Sequence, residues 1–323
     1  MMMDDTWHSC IKKDLEKVEK VMASVTRSDN VELSEMCDYV LTVQGKRIRP
    51  AMCILSFYAC GGSDASKAVD VGAAIEIIHN ATLIHDDIND EGELRRGRKA
   101  LYREYTLGKS IVAGDFMFAQ GFRLMGATSR EIVNFVVEAA AHMGSGEFNQ
   151  KDFEHKGKVT ESDYMDIIDG KTAKLIECAA KCGAALAAVD IGEIDAIGHF
   201  ANRTGMAFQI IDDTLDVIGD KGKTGKDTGN DIYEGKPTLP TIYAMDDPVD
   251  GSRIREIFEK ERPTREEVTE AISLIRDTDS VSRCLIKAKE IVDDALHYLD
   301  CIPDSDYKAS IIGLAEYIVS RDR

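Results

Sequence analysis

Proline and strand-like patterns are scarce in this 323-residue sequence, which has only six prolines and one tryptophan. No segment alternates apolar and polar residues over the length of a strand, whereas helix formers such as Ala, Leu, Glu and Lys are abundant. Because proline interrupts helices, its scarcity leaves room for long ones. We predict an all-α fold of roughly ten or more helices, forming one domain over residues 1–323 because no change of composition divides the chain.

Long apolar runs and paired cysteine motifs are also missing. No apolar run reaches membrane-spanning length, and the N-terminal segment MMMDDTWHSCIKKD lacks the apolar core of a signal peptide. The eight cysteines are scattered without a Cys-x-x-Cys pair, which argues against a disulfide or zinc framework. Cys178 and Cys182 share a helix face among alanines, so we expect buried free thiols there. A reducing cytoplasm fits this pattern best.

Positive charge is in deficit, with 40 Lys and Arg against 58 Asp and Glu and a formal net charge of −18. Such an acidic chain is a poor partner for nucleic acid or an anionic membrane. The net negative charge also repels an anionic substrate, so a site that binds an anion would need local cations or bound metal. Clusters of Lys and Arg are therefore more informative here than they would be in a basic protein.

The richest chemistry lies in residues 79–98, at the end of an apolar helical pattern. Asp86 and Asp90 lie one turn apart with Asp87 beside them, so carboxylates converge on one side of the helix. Mg²⁺ binds a few carboxylate oxygens, keeps several waters and completes its shell with substrate phosphate. The apolar positions at three- and four-residue intervals before this point are Val71, Ala74, Ile75, Ile78, Thr82 and Leu83.

Arg95, Arg96 and Arg98 follow directly, and arginine forks match phosphate oxygens. A solvated charge run at a helix end is the simpler interpretation, because most such clusters are no more than that. However, residues 212–216 repeat the Asp-Asp-x-x-Asp spacing after a second apolar run. The repetition favours a site for a metal and a phosphate-bearing ligand.

Other candidate positions allow two interpretations each. Lys46 and Arg49 can grip one phosphate group or form a basic connector. His79 lies about two turns before Asp86 and is either a core histidine or a ligand. Gly170 interrupts a helical pattern just before Lys171 and Thr172, which indicates a bend or a functional break because glycine costs about 1 kcal/mol in a helix.

Three Ser/Thr-x-x-Asp/Glu patterns predict helix starts, at Thr128, Thr160 and Thr264. Residues 91–109 are expected to form a charged loop, with a helix opening at Ser110. Gly219–Pro240 holds five glycines and four lysines without apolar periodicity. This segment is either a lid beside the metal site or an ordinary flexible linker.

In order and spacing, these motifs resemble the trans-isoprenyl diphosphate synthases, also called polyprenyl synthases, over most of the chain. The matching segments are GKRIRP at 45–50, HDDINDEGELRRG at 85–97, AGD at 113–115, GEFNQ at 146–150, KTAKL at 171–175, FQIIDDTLDVIGD at 208–220 and EGKPTLP at 234–240. Gln44 and Lys99-Ala100 depart from the family pattern, although neither is at a metal-ligand position.

The resemblance implies a helical bundle of the isoprenoid synthase type with a central cavity, and a homodimer. It implies three Mg²⁺ ions bound with an allylic diphosphate, held by Asp86, Asp90 and Asp212, with Asp87, Asp213 and Asp216 supporting them directly or through water. It assigns isopentenyl diphosphate to Lys46, Arg49, His79 and Arg96. It assigns the allylic diphosphate to Arg95, Lys171, Thr172, Gln209, Lys226 and Lys236.

The expected reaction is condensation of isopentenyl diphosphate with dimethylallyl, geranyl, farnesyl or geranylgeranyl diphosphate. Lys171 and Lys226, with the metals, would stabilise the leaving diphosphate, while the carbonyl of Gln209 and the hydroxyl of Thr172 could face the allyl cation. A class I terpene cyclase and a non-catalytic subunit are the alternatives. The Lys46–Pro50 segment and the intact second motif weigh against a cyclase, and the six retained aspartates weigh against a non-catalytic subunit.

Product length is predicted from the helix before Asp86. The family's short-chain enzymes commonly carry a bulky aromatic residue four or five positions before the first aspartate, where this chain has Ala81 and Thr82. The growing tail should therefore pass one further turn, about 5.4 Å, before it meets Ile78 or Ile77. We expect a product of roughly five or six isoprene units, with farnesyl or geranylgeranyl diphosphate as alternatives.

Overall fold

A computed structural model describes residues 7–43, 45–219 and 228–320, and almost all regular structure in these ranges is helical. The α-helices are α1 (Lys12–Val25), α2 (Val31–Leu41), α3 (Ile48–Ala59), α4 (Ser66–Asn89), α5 (Leu101–Glu104), α6 (Leu107–Met125), α7 (Arg130–Phe153), α8 (Glu161–Ile168), α9 (Lys174–Leu186), α10 (Ile191–Ile218), α11 (Asn230–Tyr233), α12 (Leu239–Met245), α13 (Gly251–Phe258), α14 (Arg265–Asp277), α15 (Ser280–Ala295) and α16 (Asp306–Val319). Short 3-10 helices span Ser9–Ile11 and Leu296–Cys301, and a π-helical turn spans Asp169–Ala173. The all-α prediction is confirmed.

The predicted charged loop after α4 contains a small antiparallel hairpin, β1 (Leu94–Arg95) and β2 (Arg98–Lys99). Its turn places Arg96 at φ 51° and Gly97 at φ 77°, the left-handed pair that suits a two-residue hairpin turn. Strands of two residues are too short to show alternation, which is why the sequence pattern missed them. The predicted loop also contains α5, and the helix predicted to open at Ser110, α6, begins at Leu107.

Two of the three predicted helix caps are correct. Thr160 accepts the N–H of Asp163 and Asp163 accepts the N–H of Thr160, and Thr264 and Glu267 form the same reciprocal pair. The cap predicted at Thr128 is wrong by one residue, because Ser129 Oγ accepts a backbone N–H of the first turn of α7. Thr128 instead donates its hydroxyl to a carbonyl at the end of α6.

The described residues form two compact units. Unit 1 comprises Met1–Glu138, Leu175–Gly198 and Leu299–Gly313, and unit 2 comprises Ala139–Lys174, His199–Tyr298 and Leu314–Arg323. The single domain expected from the composition stays a prediction. Within the described ranges, none of the helices combines the length and hydrophobicity needed to cross a membrane.

Unit 1 is built around α4, which packs on α1, α3 and α6. Residues 71–78 of this helix are all buried, and Ile75, Ile77 and Ile78 are fully buried. Backbones approach closely on two sides, because a Cβ added at Gly72 would lie 3.1 Å from the Cα of Pro50 and one at Gly121 would lie 3.1 Å from the carbonyl oxygen of Ala74. The helix that ends in the first aspartate motif is therefore held firmly by its neighbours.

Two smaller observations complete the fold. In unit 2, α12 packs against α13, α14 and α15, and Tyr164 and Phe258 are among its fully buried side chains. In unit 1, the thiols of Cys178 and Cys182 are buried, free and 3.9 Å apart. The prediction of buried free thiols is confirmed.

Candidate active site

The first aspartate motif lies on the last turn of α4, where Asp86 and Asp90 are half-buried and Asp87 is 5% exposed. Asp87 Oδ1 accepts a hydrogen bond of 2.7 Å from Arg95 Nε and a second bond from Arg95 Nη2. This ion pair ties the hairpin to α4 and neutralises the inward carboxylate. Asp86 and Asp90 are the more open members of the motif.

In the second motif, on α10, the middle aspartate is again the most buried of the three. Asp212 is exposed and Asp216 half-buried, whereas Asp213 is 8% exposed. Asp213 Oδ2 accepts a bond of 2.7 Å from the Tyr164 hydroxyl, and Oδ1 accepts one of 2.7 Å from Gln209 Nε2. In both motifs the middle aspartate is buried and accepts hydrogen bonds within the protein, while the first and third are more exposed.

The donor set fits Mg²⁺ held jointly with a phosphate-bearing ligand. Among the described residues, no group of three or more His, Cys, Asp or Glu side chains is arranged to hold a metal alone. Mg²⁺ does not require such a group, since it commonly takes one or two carboxylates and fills its shell with water and phosphate. Burial raises the pKa of Asp213, and the negative charges of Asp212 and Asp216 raise it further. A cation would relieve that repulsion.

In unit 1, cations surround His79 on α4. The pKa of His79 is well below its ordinary value because the ring is desolvated and because Arg49 and Arg96 repel a positive charge there. Burial also lowers the pKa of Arg49 to about 10, and Arg49 Nε is buried without a hydrogen-bond partner. Arg49, His79 and Arg96 thus form one basic cluster, with an unsatisfied buried donor that suits an anion. Lys46 is exposed in the segment before α3.

Arg47 supports this basic cluster, a role that no sequence pattern predicts. Arg47 has φ 50°, and its guanidinium donates to Glu19 at 2.6 and 3.1 Å, to Glu76 at 3.0 Å and to the Leu41 carbonyl at 2.9 Å. It therefore joins α1, α2 and α4 at the start of α3. The signal in the sequence was Glu76, a carboxylate in an apolar helix and 3% exposed.

The absence of a side chain at Gly45 allows the Arg96 guanidinium to lie against the loop before α3. A Cβ added at Gly45 would lie 3.1 Å from Arg96 Nη1, which donates to the Val43 carbonyl at 3.4 Å. On the other side of the hairpin, the Tyr39 hydroxyl donates to the Lys99 carbonyl at 3.0 Å. These contacts hold the hairpin that carries Arg96 between the loop and α2.

In unit 2 the break predicted at Gly170 is a π-helical turn, Asp169–Ala173, of a kind frequent at functional sites. A Cβ added at Gly146 on α7 would lie 2.7 Å from the backbone nitrogen of Lys171, so the two backbones are nearly in contact. The ammonium of Lys171 lies 2.5 Å from Glu147 Oε2 and donates to Gln150 Oε1 at 3.2 Å. The turn therefore directs Lys171 toward α7.

Thr172 points toward α10, where its hydroxyl donates to Gln209 Oε1 at 2.8 Å. Three of the predicted allylic-site residues are thus close together in unit 2: Lys171 and Thr172 share one turn, and Gln209 is bonded to Thr172. The carbonyl of Gln209 is engaged by this hydroxyl.

The segment after the second motif is only partly described. Lys226 lies outside the described residues, and Lys236 is mostly buried and lies 2.7 Å from Glu234. Helix α11 and the start of α12 fall within the segment predicted to be a loop, so that prediction is wrong for residues 230–233 and 239–240. Asp231 was missed. Its N–H donates to Asp216 Oδ2 at 3.3 Å, and burial raises its pKa well above the ordinary value.

The four chain-length positions differ in exposure. Ala81, Ile77 and Ile78 are fully buried, while Thr82 is half-buried and donates its hydroxyl to the His79 carbonyl at 2.8 Å. The open face of α4 that contains Asp86 thus continues through Thr82. One turn further on, Ile78 is buried against Gly121 of α6.

Comparison with known proteins identifies the family. Residues 30–275 match the polyprenyl synthetase family. The chain is 34% identical to octaprenyl diphosphate synthase from Escherichia coli K12, with 96% of this chain and 97% of the relative covered. It is 35% identical to geranylgeranyl pyrophosphate synthase from Geoglobus acetivorans, with 97% and 98% covered.

A solved structure agrees with these relatives. Polyprenyl synthase from Caulobacter crescentus CB15, in complex with calcium and isoprenyl diphosphate, has a TM-score of 0.94 and 30% identity, covering 99% of this chain and 98% of the other. The chain belongs to the polyprenyl synthetase family. It is a prenyltransferase of the trans-prenyl diphosphate synthase class.

Proposed function

We propose that this enzyme uses Mg²⁺ to condense isopentenyl diphosphate with an allylic diphosphate and releases diphosphate. The allylic substrate would be dimethylallyl, geranyl, farnesyl or geranylgeranyl diphosphate. The Caulobacter crescentus relative was solved with calcium and isoprenyl diphosphate, which supports a metal and a diphosphate as ligands. The assignment of individual residues to the two substrates is part of the proposal.

The observation that carries the proposal is the basic cluster of Arg49, His79 and Arg96. Burial lowers the pKa of His79, and the charges of Arg49 and Arg96 lower it further, while Arg49 Nε is buried without a hydrogen-bond partner. Such an arrangement is stabilised by an anion, and it lies apart in sequence from the basic residues of unit 2. A second anion site supports a two-substrate reaction, whereas a cyclase requires only one diphosphate.

In the proposed reaction the C1–O bond of the allylic diphosphate breaks, and its electron pair leaves with the diphosphate. Lys171 would hold the leaving oxygens, while Lys46, Arg49 and Arg96 would hold isopentenyl diphosphate with its double bond toward C1. The new carbon–carbon bond forms as C2 of isopentenyl diphosphate loses a proton, which the released diphosphate accepts. No covalent enzyme intermediate is needed.

Asp86 and Asp90 in unit 1, and Asp212 and Asp216 in unit 2, are the carboxylates that would hold Mg²⁺. When bound, Mg²⁺ would neutralise charge on the leaving diphosphate. Asp87 and Asp213 would act indirectly, because each already accepts two hydrogen bonds within the protein. The resemblance gave Asp87, Asp213 and Asp216 the supporting role, whereas Asp216 is grouped here with Asp86, Asp90 and Asp212 because it is more exposed than Asp213.

The test is incubation of the purified chain with Mg²⁺, labelled isopentenyl diphosphate and each allylic diphosphate. We expect label in a longer prenyl diphosphate. Consumption of the allylic substrate without uptake of label would identify a cyclase. Inactivity of the chain alone, restored by a partner protein, would identify a non-catalytic subunit.

We further propose a product of roughly five or six isoprene units, since no aromatic side chain at Ala81 or Thr82 would stop the tail, which would extend about one further helical turn before it meets Ile78 or Ile77. The two relatives named above are called octaprenyl and geranylgeranyl synthases, so family membership leaves the length open. Chromatography of the dephosphorylated products tests this proposal. A wild-type product of farnesyl length, or an Ala81→Phe variant whose product is not shortened, would contradict it.

A homodimer is also proposed, on the family resemblance alone. Sedimentation analysis at micromolar concentration tests it, and a monomer there would contradict it.

A further inference from the structure

Four side chains of unit 2 form a continuous chain of hydrogen bonds that reaches the predicted allylic site. The Tyr164 hydroxyl donates to Asp213, Gln209 Nε2 donates to Asp213, and the Thr172 hydroxyl donates to Gln209. The three bonds measure 2.7, 2.7 and 2.8 Å. Tyr164 is 1% exposed, whereas Thr172 is 7% and Asp213 8% exposed. The chain thus begins in the core of unit 2 and ends at the π-helical turn.

We propose that Tyr164 is a positioning residue that sets the direction of this chain, so that Thr172 turns its oxygen lone pairs toward the allylic cation. The inference rests on the proposed condensation reaction. In this proposal Asp213 orients Gln209 and does not hold metal, and Gln209 acts by orienting the Thr172 hydroxyl.

The direction follows from which groups can donate. Gln209 Nε2 donates to Asp213 Oδ1, so the amide presents its NH₂ group to Asp213. The amide carbonyl then faces Thr172, whose single hydroxyl proton is used to reach it. The remaining lone pairs of Thr172 therefore point away from Gln209. A hydroxyl held in this way presents the negative end of its dipole to its surroundings, which favours a neighbouring cation.

Tyr164 matters because it holds the carboxylate at the start of the chain. Without its hydroxyl, Asp213 loses one of two protein donors and can rotate away from Gln209. The amide of Gln209 is then free to turn its NH₂ group toward Thr172, which reverses the Thr172 hydroxyl. The positive end of the dipole would face the cation, so ionisation of the allylic substrate would slow while its diphosphate remained bound.

Tyr164→Phe removes the one hydroxyl, and Tyr243→Phe is the matched control. The Tyr243 hydroxyl also donates to a carboxylate in unit 2, Glu161, at 2.7 Å, and Tyr243 is 8% exposed. We expect Tyr164→Phe to lower kcat about tenfold, the effect of one hydrogen bond to a charged group, with the KM for isopentenyl diphosphate unchanged. Tyr243→Phe should retain the wild-type kcat.

A binding measurement separates positioning from general damage. Calorimetry would compare two unreactive allylic diphosphate analogues, one with a protonated nitrogen in place of the cationic carbon and one with carbon there. Wild type should bind the ammonium analogue more tightly than the carbon analogue. In Tyr164→Phe the ratio of the two affinities should be about tenfold smaller. If Tyr164 had a merely structural role, its replacement would weaken the binding of both analogues equally and leave the ratio of their affinities unchanged.

Three outcomes would overturn the proposal. They are an unchanged analogue ratio in Tyr164→Phe, full recovery of kcat at saturating Mg²⁺, and additive effects of Tyr164→Phe and Thr172→Val on kcat. If Tyr164→Phe does not fold, Gln209→Met interrupts the same chain and should give the same loss of preference. Thr172→Ser keeps the hydroxyl and should retain it.

Failure of the proposed function would look different. If wild type does not incorporate isopentenyl diphosphate, the condensation proposal fails, yet the analogue ratio still tests the hydrogen-bond chain. If condensation occurs and the ratio does not respond to Tyr164→Phe, only the inference about Tyr164 fails.

Discussion

Gly146 allows α7 and the π-helical turn to approach each other, so replacing it with alanine should disturb the predicted allylic site. A Cβ at this position would lie 2.7 Å from the backbone nitrogen of Lys171 and 3.1 Å from the carbonyl carbon of Gly170. Backbone atoms cannot rotate away as the end of a side chain can. The helix and the turn must therefore separate.

The size of the effect follows from the contact. Ordinary van der Waals contact begins at 3.4 Å, so relieving a contact of 2.7 Å requires an opening of about 0.7 Å. Overpacking of this kind costs about 1–3 kcal/mol. A displacement approaching 1 Å at Lys171 and Thr172 should lower kcat/KM for the allylic substrate by roughly tenfold to a hundredfold.

Gly144 provides the matched control, because it lies on the same helix, is exposed, and a Cβ there meets nothing within 4 Å. Replacing a glycine within a helix by alanine adds about 0.5–1 kcal/mol of stability in both variants. The difference in stability between the two variants therefore isolates the effect of the close contact. Thermal denaturation and steady-state kinetics of the two variants measure it. Gly144→Ala should be as stable as wild type or more so, with wild-type kinetics.

The reasoning would be refuted if Gly146→Ala matched Gly144→Ala in both Tm and kcat/KM. Loss of stability with unchanged kinetics would refute only the predicted effect on kcat/KM, since it would mean that the displacement of the helix from the turn does not reach Lys171 and Thr172.

Three further predictions concern the two units separately. Asp86→Ala and Asp212→Ala should each lower kcat by about a hundredfold or more with the helical circular dichroism intact, because each removes a proposed metal ligand; near-normal turnover in either would refute its assignment. Lys46→Ala should raise the KM for isopentenyl diphosphate more than that for the allylic substrate, and equal changes would contradict separate sites. The depressed pKa of His79 means that the unfolded chain binds a proton as pH falls through 6.5 while the folded chain does not, so stability should fall below that pH. His79→Gln should lessen this loss in Tm measurements between about pH 7 and 5, and an identical pH profile would contradict the assignment.

The aspartate motifs show how far local sequence reaches. Helical periodicity placed Asp86 and Asp90 one turn apart at the end of a buried helix, and the structure has them there on α4. The same patterns could not show that Asp87 and Asp213 turn inward, because their partners, Arg95 and Tyr164, come from other elements. Which side of a helix end is open depends on what packs against it.

The sequence by itself determined the all-α class, most helix positions, the break at Gly170 and the family, because these depend on periodicity, capping residues and ordered motifs along the chain. Only the tertiary structure decided that Arg47 braces the basic cluster and that Gly146 meets the turn carrying Lys171. It alone also decided that Tyr164 reaches Asp213 across 49 positions. Such contacts join residues that no local pattern relates, since side-chain direction and close backbone approach are fixed only when helices pack.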